Sequence, residues 1–429
     1  MEDLSILENI YHLIKTDDSL IEMEKNDLEE IILIIIDEFI NTYPLLITEE
    51  KFDELLEQHV EEEITLILEN IQINEVLQEE LENIVEKSIF IYFQTIGIPR
   101  SYSSSIILSP PEEKRLAKQI DILRSIPQPE QRTNDWYIFR HNLITASNAY
   151  KAFENECPQN QLIYEKCKPL LIEEKKNIRP VSIDSPLHWG QKYEPLSVYF
   201  YEEMYDTKIE DFGCISHNKY NFLGASPDGI NVKEQNSRYG RMLEIKNIVS
   251  RKITGIPKKE YWIQMQLQME VCDLDECDFL ETKFEEYENE EEYLKDEISK
   301  NKGIILYFSG PNCEHKYIYK PLNMDFTEKW QEENMEYQEK KGYIWIKNIY
   351  WKLQKYSCVL VIRNKCWFNS AIVQLENIWN IIIKERESGY DHRKSKPRKI
   401  KPESCLNLNN EQFGCLLNID KYTNLATLK

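Results

Sequence analysis

Two short apolar segments that carry charged residues constrain the fold of this chain more than any other feature. The first leads into the sequence Pro227-Asp228-Gly229, and the second, residues 242–247, carries Glu244 and Lys246 two positions apart. Pro-Asp-Gly is a common β-turn sequence, and side chains two residues apart on a strand point to the same face. The sequence therefore predicts two neighbouring strands on which Asp228, Glu244 and Lys246 converge.

This set of residues suits phosphodiester hydrolysis. The two carboxylates, with the backbone carbonyl of Ile245 between Glu244 and Lys246, offer the hard oxygen ligands that Mg²⁺ or Mn²⁺ prefers. A lysine beside the metal can orient or deprotonate the attacking water and stabilise the charged transition state. Each piece alone also has an ordinary structural interpretation, because Pro-Asp-Gly is a common turn and Glu-x-Lys is a common surface pair.

In this order the residues match the Asp…Glu-x-Lys signature of the PD-(D/E)XK nucleases. Within that superfamily, further segments resemble the lambda exonuclease and YqaJ viral recombinase group. Residues 188–195 contain Tyr193 and Glu194 in the group's Gly-x-x-Tyr-Glu pattern. The resemblance implies that Glu194 lies by the metal site, as a ligand of a second metal or through a water molecule, with Tyr193 in support. The alternative is that Glu194 caps a helix N-terminus.

Residues 261–269 resemble the Gln-x-Gln helix of the same group. The resemblance places Gln266 at the active site, in contact with the nucleophile or the scissile phosphate, with Gln264 as its neighbour. The alternative is an amphipathic helix whose glutamines face water.

Residues 132–147 match the group's Trp-x-x-x-Arg…Ile-Thr-Ala-Ser pattern through Trp136, Arg140 and Ser147. Arg140 and Ser147 then correspond to residues that bind the 5′-terminal phosphate of DNA, for which a guanidinium and a hydroxyl are suitable donors. Trp136 would support them. The alternative makes Trp136 and Phe139 core residues and Arg140 a surface charge, and Trp136 is expected in the core in both cases.

The resemblance implies a deoxyribonuclease that uses one or two Mg²⁺ or Mn²⁺ ions. Its expected activity is that of a 5′-to-3′ exonuclease at double-stranded DNA ends, in viral or phage-type recombination, repair or replication. A single-strand annealing protein and further copies of the chain are the other partners that the group suggests. A structure-selective or endonucleolytic repair nuclease and a catalytically inactive DNA-binding protein stay open as alternatives. The sequence has no Gly-x-x-x-x-Gly-Lys-[Ser/Thr] loop, so no nucleotide cofactor is expected.

Helical spacing of apolar residues from Leu4 to about Tyr92 predicts an all-helical extension, followed by a linker rich in Pro and Ser. Beyond it, apolar spacing predicts helices from Glu112 to about Ile126 and from Trp367 to Arg386, and Cys358 to Ile362 has strand character. With the other segments of strand and helix character, they predict an α/β restriction-endonuclease-like core, with a central mixed sheet flanked by helices. We expect an extension and linker at 1–108, an exonuclease domain at 109–390 with its motifs at 132–310, and a basic tail at 391–429.

The net charge of −23 does not exclude DNA as a partner, because residues 1–100 hold 26 acidic and 5 basic residues. Ten cysteines without Cys-x-x-Cys pairs are typical of reduced intracellular thiols. The longest apolar run, residues 31–36, is far too short to cross a membrane. We expect a soluble, intracellular protein without a membrane partner. Richness in Ile, Asn, Lys, Glu and Tyr suggests an AT-rich genome. The group that the motifs resemble is common in phages and large DNA viruses, and a viral origin would place the protein in the host cytoplasm.

Overall fold

The computed structural model describes residues 22–68, 75–131, 133–170, 185–311, 314–321, 328–394, 417–419 and 426–428. Residues 1–393 form one compact unit and residues 394–429 form a second. The helical signal at residues 4–14 and the basic residues 396–401 lie outside the described residues. No helix in the described ranges is long and apolar enough to cross a membrane.

Three acidic helices form the N-terminal part of the first unit: α1 (Glu22–Thr42), α2 (Phe52–Ile67) and α3 (Glu75–Thr95). Their apolar residues recur three and four positions apart, so they share one face of each helix and pack together. Fully or almost fully buried examples are Ile32, Ile36, Leu56, Val60 and Ile64. The helical prediction is confirmed for this part of the chain.

The rest of the first unit is a mixture of helices and strands. The helices are α4 (Glu113–Ser125), α5 (Asn134–His141), α6 (Ala146–Ala149), α7 (Glu156–Cys167), α8 (Pro186–Tyr205), α9 (Lys259–Cys272), α10 (Glu290–Lys295), α11 (Glu328–Glu339) and α12 (Lys365–Ser388). The strands are β1 (Ile144–Thr145), β2 (Ile209–Glu210), β3 (Ile215–Ser216), β4 (Leu223–Ala225), β5 (Gly229–Asn231), β6 (Met242–Asn247), β7 (Glu276–Glu286), β8 (Lys302–Ser309), β9 (His315–Tyr319) and β10 (Ile344–Ile362).

Seven of these strands form one mixed sheet in the order β2-β5-β6-β7-β10-β8-β9. Strands β6 and β7 run parallel, and the other neighbours in this sheet are antiparallel. A smaller sheet has the order β1-β4-β3. Helices pack on the large sheet, so the predicted α/β class with a mixed sheet flanked by helices is confirmed.

Strand β6 lies between two helices because its apolar residues alternate. Leu243 and Ile245 pack with Tyr201 of α8, whereas Met242 belongs to the cluster that contains Trp262 and Met265 of α9. Successive strand residues point to opposite faces of the sheet. Odd-numbered residues of β6 therefore face α8, and even-numbered residues face α9.

Strands β5 and β6 form an antiparallel hairpin, in which Gly229 pairs with Leu243 and Ile230 with Met242. The strand that leads into the Pro-Asp-Gly turn, β4, lies in the smaller sheet, so the neighbour of β6 is the strand after Asp228 and not the one before it. The segment predicted to be a linker packs beside the sheet. Tyr102 N donates to Leu360 O at 2.9 Å, and Ser105 N donates to Cys358 O at 3.0 Å, along β10.

In the second unit, the described residues form an antiparallel pair of short strands, β11 (Leu417–Ile419) and β12 (Ala426–Leu428).

Candidate active site

Asp228 lies in the turn that joins β4 to β5, where its side chain reaches β6. Its Oδ2 accepts a hydrogen bond from the backbone N–H of Ile245 at 2.7 Å. The same carboxylate lines a cleft of about 510 Å³, together with Glu194 of α8 and Trp136 of α5. The turn thus holds one oxygen of Asp228 against the strand and leaves the side chain at the edge of an open cleft.

Glu244 is fully buried, yet both of its oxygens have hydrogen-bond donors. Oε1 accepts from Gln264 Nε2 at 2.7 Å and from the Lys246 ammonium, and Oε2 accepts from Gln268 Nε2 at 2.7 Å. The Lys246 ammonium also lies 4.9 Å from the ring centroid of Tyr261. A buried carboxylate needs such partners. The face of α9 that covers β6 supplies the two amides, and β6 itself supplies the ammonium.

Charge is concentrated around Asp228. Burial raises its pKa well above the usual range, and the carboxylates of Glu244 and Glu194 raise it further, against the opposing effect of Lys246. Burial alone would lower the pKa of Lys246, but the carboxylates of Glu244 and Asp228 outweigh it and raise that pKa. Several carboxylates therefore interact here around a single ammonium, an arrangement that an added cation would relieve.

The donor set fits a hard divalent cation. A carboxylate has roughly four lone-pair sites. Asp228 accepts one hydrogen bond, from the Ile245 N–H, and Glu244 accepts three, so each carboxylate still has a lone pair with which to bind a cation. In the described ranges, no group of three or more His, Cys, Asp or Glu side chains is arranged to hold a metal by itself. Mg²⁺ commonly uses one or two carboxylates and keeps several waters, so two carboxylates and the Ile245 carbonyl suit it.

Gln266 is not in this cluster, which corrects the prediction that it contacts the reacting groups. Its Nε2 donates to Ile362 O at 2.8 Å, and its Oε1 accepts from Asn364 N at 2.7 Å, so it joins α9 to the segment between β10 and α12. Residues two apart on a helix point in very different directions. Gln264 and Gln268, four apart, share the face toward Glu244. That spacing was the available signal for Gln268, which the sequence analysis missed.

Glu194 and Tyr193 are adjacent on α8 but face different surroundings. Glu194 is exposed and lines the cleft with Asp228. Tyr193 is fully buried, stacks on Phe284 with ring centroids 4.5 Å apart, and donates to Glu286 Oε1 at 2.9 Å. Its support for the site therefore comes through the packing of α8 on β7.

The alternative that Glu194 caps a helix N-terminus is wrong. Helix α8 begins at Pro186, and the hydroxyl of Ser185 caps it by accepting from His188 N at 3.2 Å. Glu194 lies more than one turn further along, directly before Pro195.

Arg140 and Trp136 form one cluster on α5. The guanidinium carbon of Arg140 lies 4.5 Å from the ring centroid of Trp136, and the half-buried indole lines the same cleft as Asp228. Ser147 is exposed on α6, where its Oγ lies 3.4 Å from Thr145 Oγ1. The structure therefore connects Arg140 to the cleft through Trp136.

The central part of the chain is similar to a known family of proteins. Residues 135–275 match the family described as the YqaJ-like viral recombinase domain, so the predicted resemblance is confirmed. An uncharacterised protein of Acanthamoeba polyphaga mimivirus is 29% identical over 309 residues, which cover 63% of this chain and 55% of the viral protein. The chain thus spans about half the length of this curated relative.

Two solved structures are also similar to the chain. An alkaline exonuclease from Laribacter hongkongensis has a TM-score of 0.32 and 17% sequence identity, covering 61% of this chain and 95% of its own. The same enzyme in complex with dAMP has a TM-score of 0.32 and 18% identity, with the same coverage.

Proposed function

Because the chain carries a YqaJ-like viral recombinase domain at residues 135–275, we propose that it is a divalent-metal-dependent deoxyribonuclease. Its substrate would be double-stranded DNA, degraded from the ends in the 5′-to-3′ direction. The observation that carries this proposal is the cluster of Asp228, Glu244 and Lys246 beside a cleft that Asp228 and Glu194 line. Glu244 and Lys246 on one face of β6, with Asp228 reaching the same strand from its turn, are suited to binding a metal ion and a phosphate together.

The residues would divide the work as follows. Asp228, Glu244 and the Ile245 carbonyl would hold Mg²⁺ or Mn²⁺, and Glu194 would support a second ion. The bound metal would polarise the scissile phosphate and activate the attacking water. Lys246 would stabilise negative charge that develops on the phosphate, because its ammonium stands beside Glu244 at the same site.

Gln264 and Gln268 would keep the Glu244 carboxylate in one orientation through the two amide hydrogen bonds that they donate. Ligands held by hydrogen bonds from neighbouring side chains bind metals more tightly than free ones. This role replaces the one that the sequence analysis assigned to Gln266.

The 5′-to-3′ direction rests on Arg140 and Ser147. A guanidinium can bind a terminal phosphate through two parallel hydrogen bonds, and Arg140 packs on Trp136 at the edge of the cleft. A 5′-phosphate held there would place the first phosphodiester bonds of that strand near Asp228. The 3′ strand that remains would then be available to a single-strand annealing protein in viral-type recombination.

The proposal is tested by digesting linear 5′-phosphorylated duplex and covalently closed circular DNA, with Mg²⁺ or with EDTA. We expect Mg²⁺-dependent loss of the linear duplex alone, abolished by Lys246→Ala. The matched control is Lys295→Ala, which removes an exposed lysine of α10 and should keep full activity. Cutting of the closed circle would favour the endonuclease alternative, and no cutting of either DNA would contradict the proposed activity.

A further inference from the structure

Asn247 follows Lys246 on β6 and faces α8, the side of the sheet opposite to Glu244. Its Nδ2 donates to Gly190 O at 3.0 Å. Its Oδ1 accepts from Ser197 Oγ and from Thr282 Oγ1, each at 2.7 Å. Ser197 and Thr282 are fully buried. One neutral side chain thus ties the strand that carries Glu244 to two points of α8.

Helix α8 contains Pro195 between these two points. Proline has no N–H, so Gln191 O loses the hydrogen bond that residue 195 would donate in an uninterrupted helix. Glu194, directly before the proline, lines the cleft with Asp228. The turn of α8 around Glu194 therefore has one backbone hydrogen bond fewer than an uninterrupted helix. The hydrogen bonds that Asn247 makes with Gly190 and Ser197 lie on either side of this turn.

We propose that Asn247 is a positioning residue that fixes Glu194 against Asp228 for metal binding. The inference rests on the proposed function, because it assumes that these carboxylates bind a divalent ion. Strand β6 then has two roles. On one face, Glu244 and Lys246 point to α9 at the metal site. On the other face, Asn247 positions Glu194 of α8. Asn247 acts through Glu194, because its own neutral amide is bonded to α8 and β7.

The test is a double-mutant cycle on Mn²⁺ binding to the full chain, measured without DNA by titration calorimetry and by the electron paramagnetic resonance of free Mn²⁺. We expect Asn247→Ala to weaken Mn²⁺ binding about tenfold or more, as loss of groups that orient metal ligands does. Glu194→Gln, which removes the carboxylate itself, should weaken it at least as much. Residues that act through one another are not additive. The double variant should therefore bind Mn²⁺ about as well as the weaker single variant.

Two further variants separate positioning from general stability. Ser197→Ala removes one tie to α8 and leaves Asn247 in place, so it should weaken Mn²⁺ binding in the same direction even if Asn247→Ala folds poorly. Tyr92→Phe removes a remote side-chain bond, 2.8 Å from the hydroxyl to Asp37, and should leave Mn²⁺ binding unchanged.

The failures are distinguishable. If the unmodified chain binds no Mn²⁺, the proposed function and this inference both fail. If Mn²⁺ binds but Asn247→Ala and Ser197→Ala leave the affinity unchanged, or the effects of Asn247→Ala and Glu194→Gln multiply, the inference alone is overturned.

Discussion

Replacing Gln268 by methionine keeps a long, flexible side chain in α9 but removes the amide that faces Glu244. The bond from Gln268 Nε2 to Glu244 Oε2 is 2.7 Å long, and both side chains are fully buried. A hydrogen bond to a charged group contributes about 1.5–3 kcal/mol, so the free energy of unfolding should fall by that amount. Cleavage of linear duplex should fall about tenfold or more, because Glu244 loses the group that orients it.

Gln266→Met is the matched control, since Gln266 is equally buried on the same helix. It loses two bonds to neutral backbone groups, at Ile362 O and Asn364 N. The free energy of unfolding should fall by about 1–3 kcal/mol, while the cleavage rate per folded molecule stays unchanged. Urea denaturation gives the first quantity and single-turnover digestion the second. The reverse pattern, with cleavage lost only in Gln266→Met, would refute this assignment and restore the one made from sequence.

Three other predictions concern the phosphate site, the metal and the sheet. Arg140→Ala should slow digestion of 5′-phosphorylated ends much more than that of 5′-hydroxyl ends; unchanged rates on phosphorylated ends would refute the role of Arg140. Removal of divalent ions with EDTA should abolish cleavage, and Mg²⁺ or Mn²⁺ should restore it; cleavage that survives chelation would contradict a metal mechanism. Arg241→Met should lower the free energy of unfolding by about 1.5–3 kcal/mol, because it removes one charged hydrogen bond, at 3.1 Å, from the fully buried Asp278, which keeps Arg238 as an ion-pair partner at 3.4 Å. A loss below about 1 kcal/mol in urea denaturation would contradict that account of Asp278.

The elements that were predictable from sequence are those specified by neighbouring residues. The apolar spacing of α4 and α12 and the Pro-Asp-Gly turn before β5 are local patterns, and the structure has these elements close to the predicted places. Strand β10 was predicted only at its end. Its first part pairs with β8 and its second with β7, with register shifts on both sides. No single alternation of apolar residues describes such a strand.

The same difference between local patterns and contacts between distant segments explains which site residues were predictable from sequence. The alternation of Glu244 and Lys246 was sufficient to place both side chains together, because a strand has only two faces. The spacing of the glutamines indicates that Gln264 and Gln268 share one face of α9 and that Gln266 lies on another, but only the packing of α9 on β6 decides which face meets Glu244. Asn247 was not identified at all. Its partners Gly190 and Ser197 lie about 50 residues away in the chain, and a contact of that kind leaves no spacing to recognise.

The N-terminal part of the chain contacts α9, the helix whose glutamines donate hydrogen bonds to Glu244. Arg100 donates to Thr48 O, 3.2 Å away, and to Pro257 O, while Trp262 Nε1 of α9 donates to Arg100 O at 2.7 Å. Lys259, the first residue of α9, pairs with Glu49 at 2.8 Å. Residues of α1 to α3 also share one buried apolar cluster with those of α9. The acidic N-terminal helices therefore differ from the rest of the chain in charge but pack against it as part of the same core. Deleting them would remove negative charge and would also perturb α9, which carries Gln264 and Gln268.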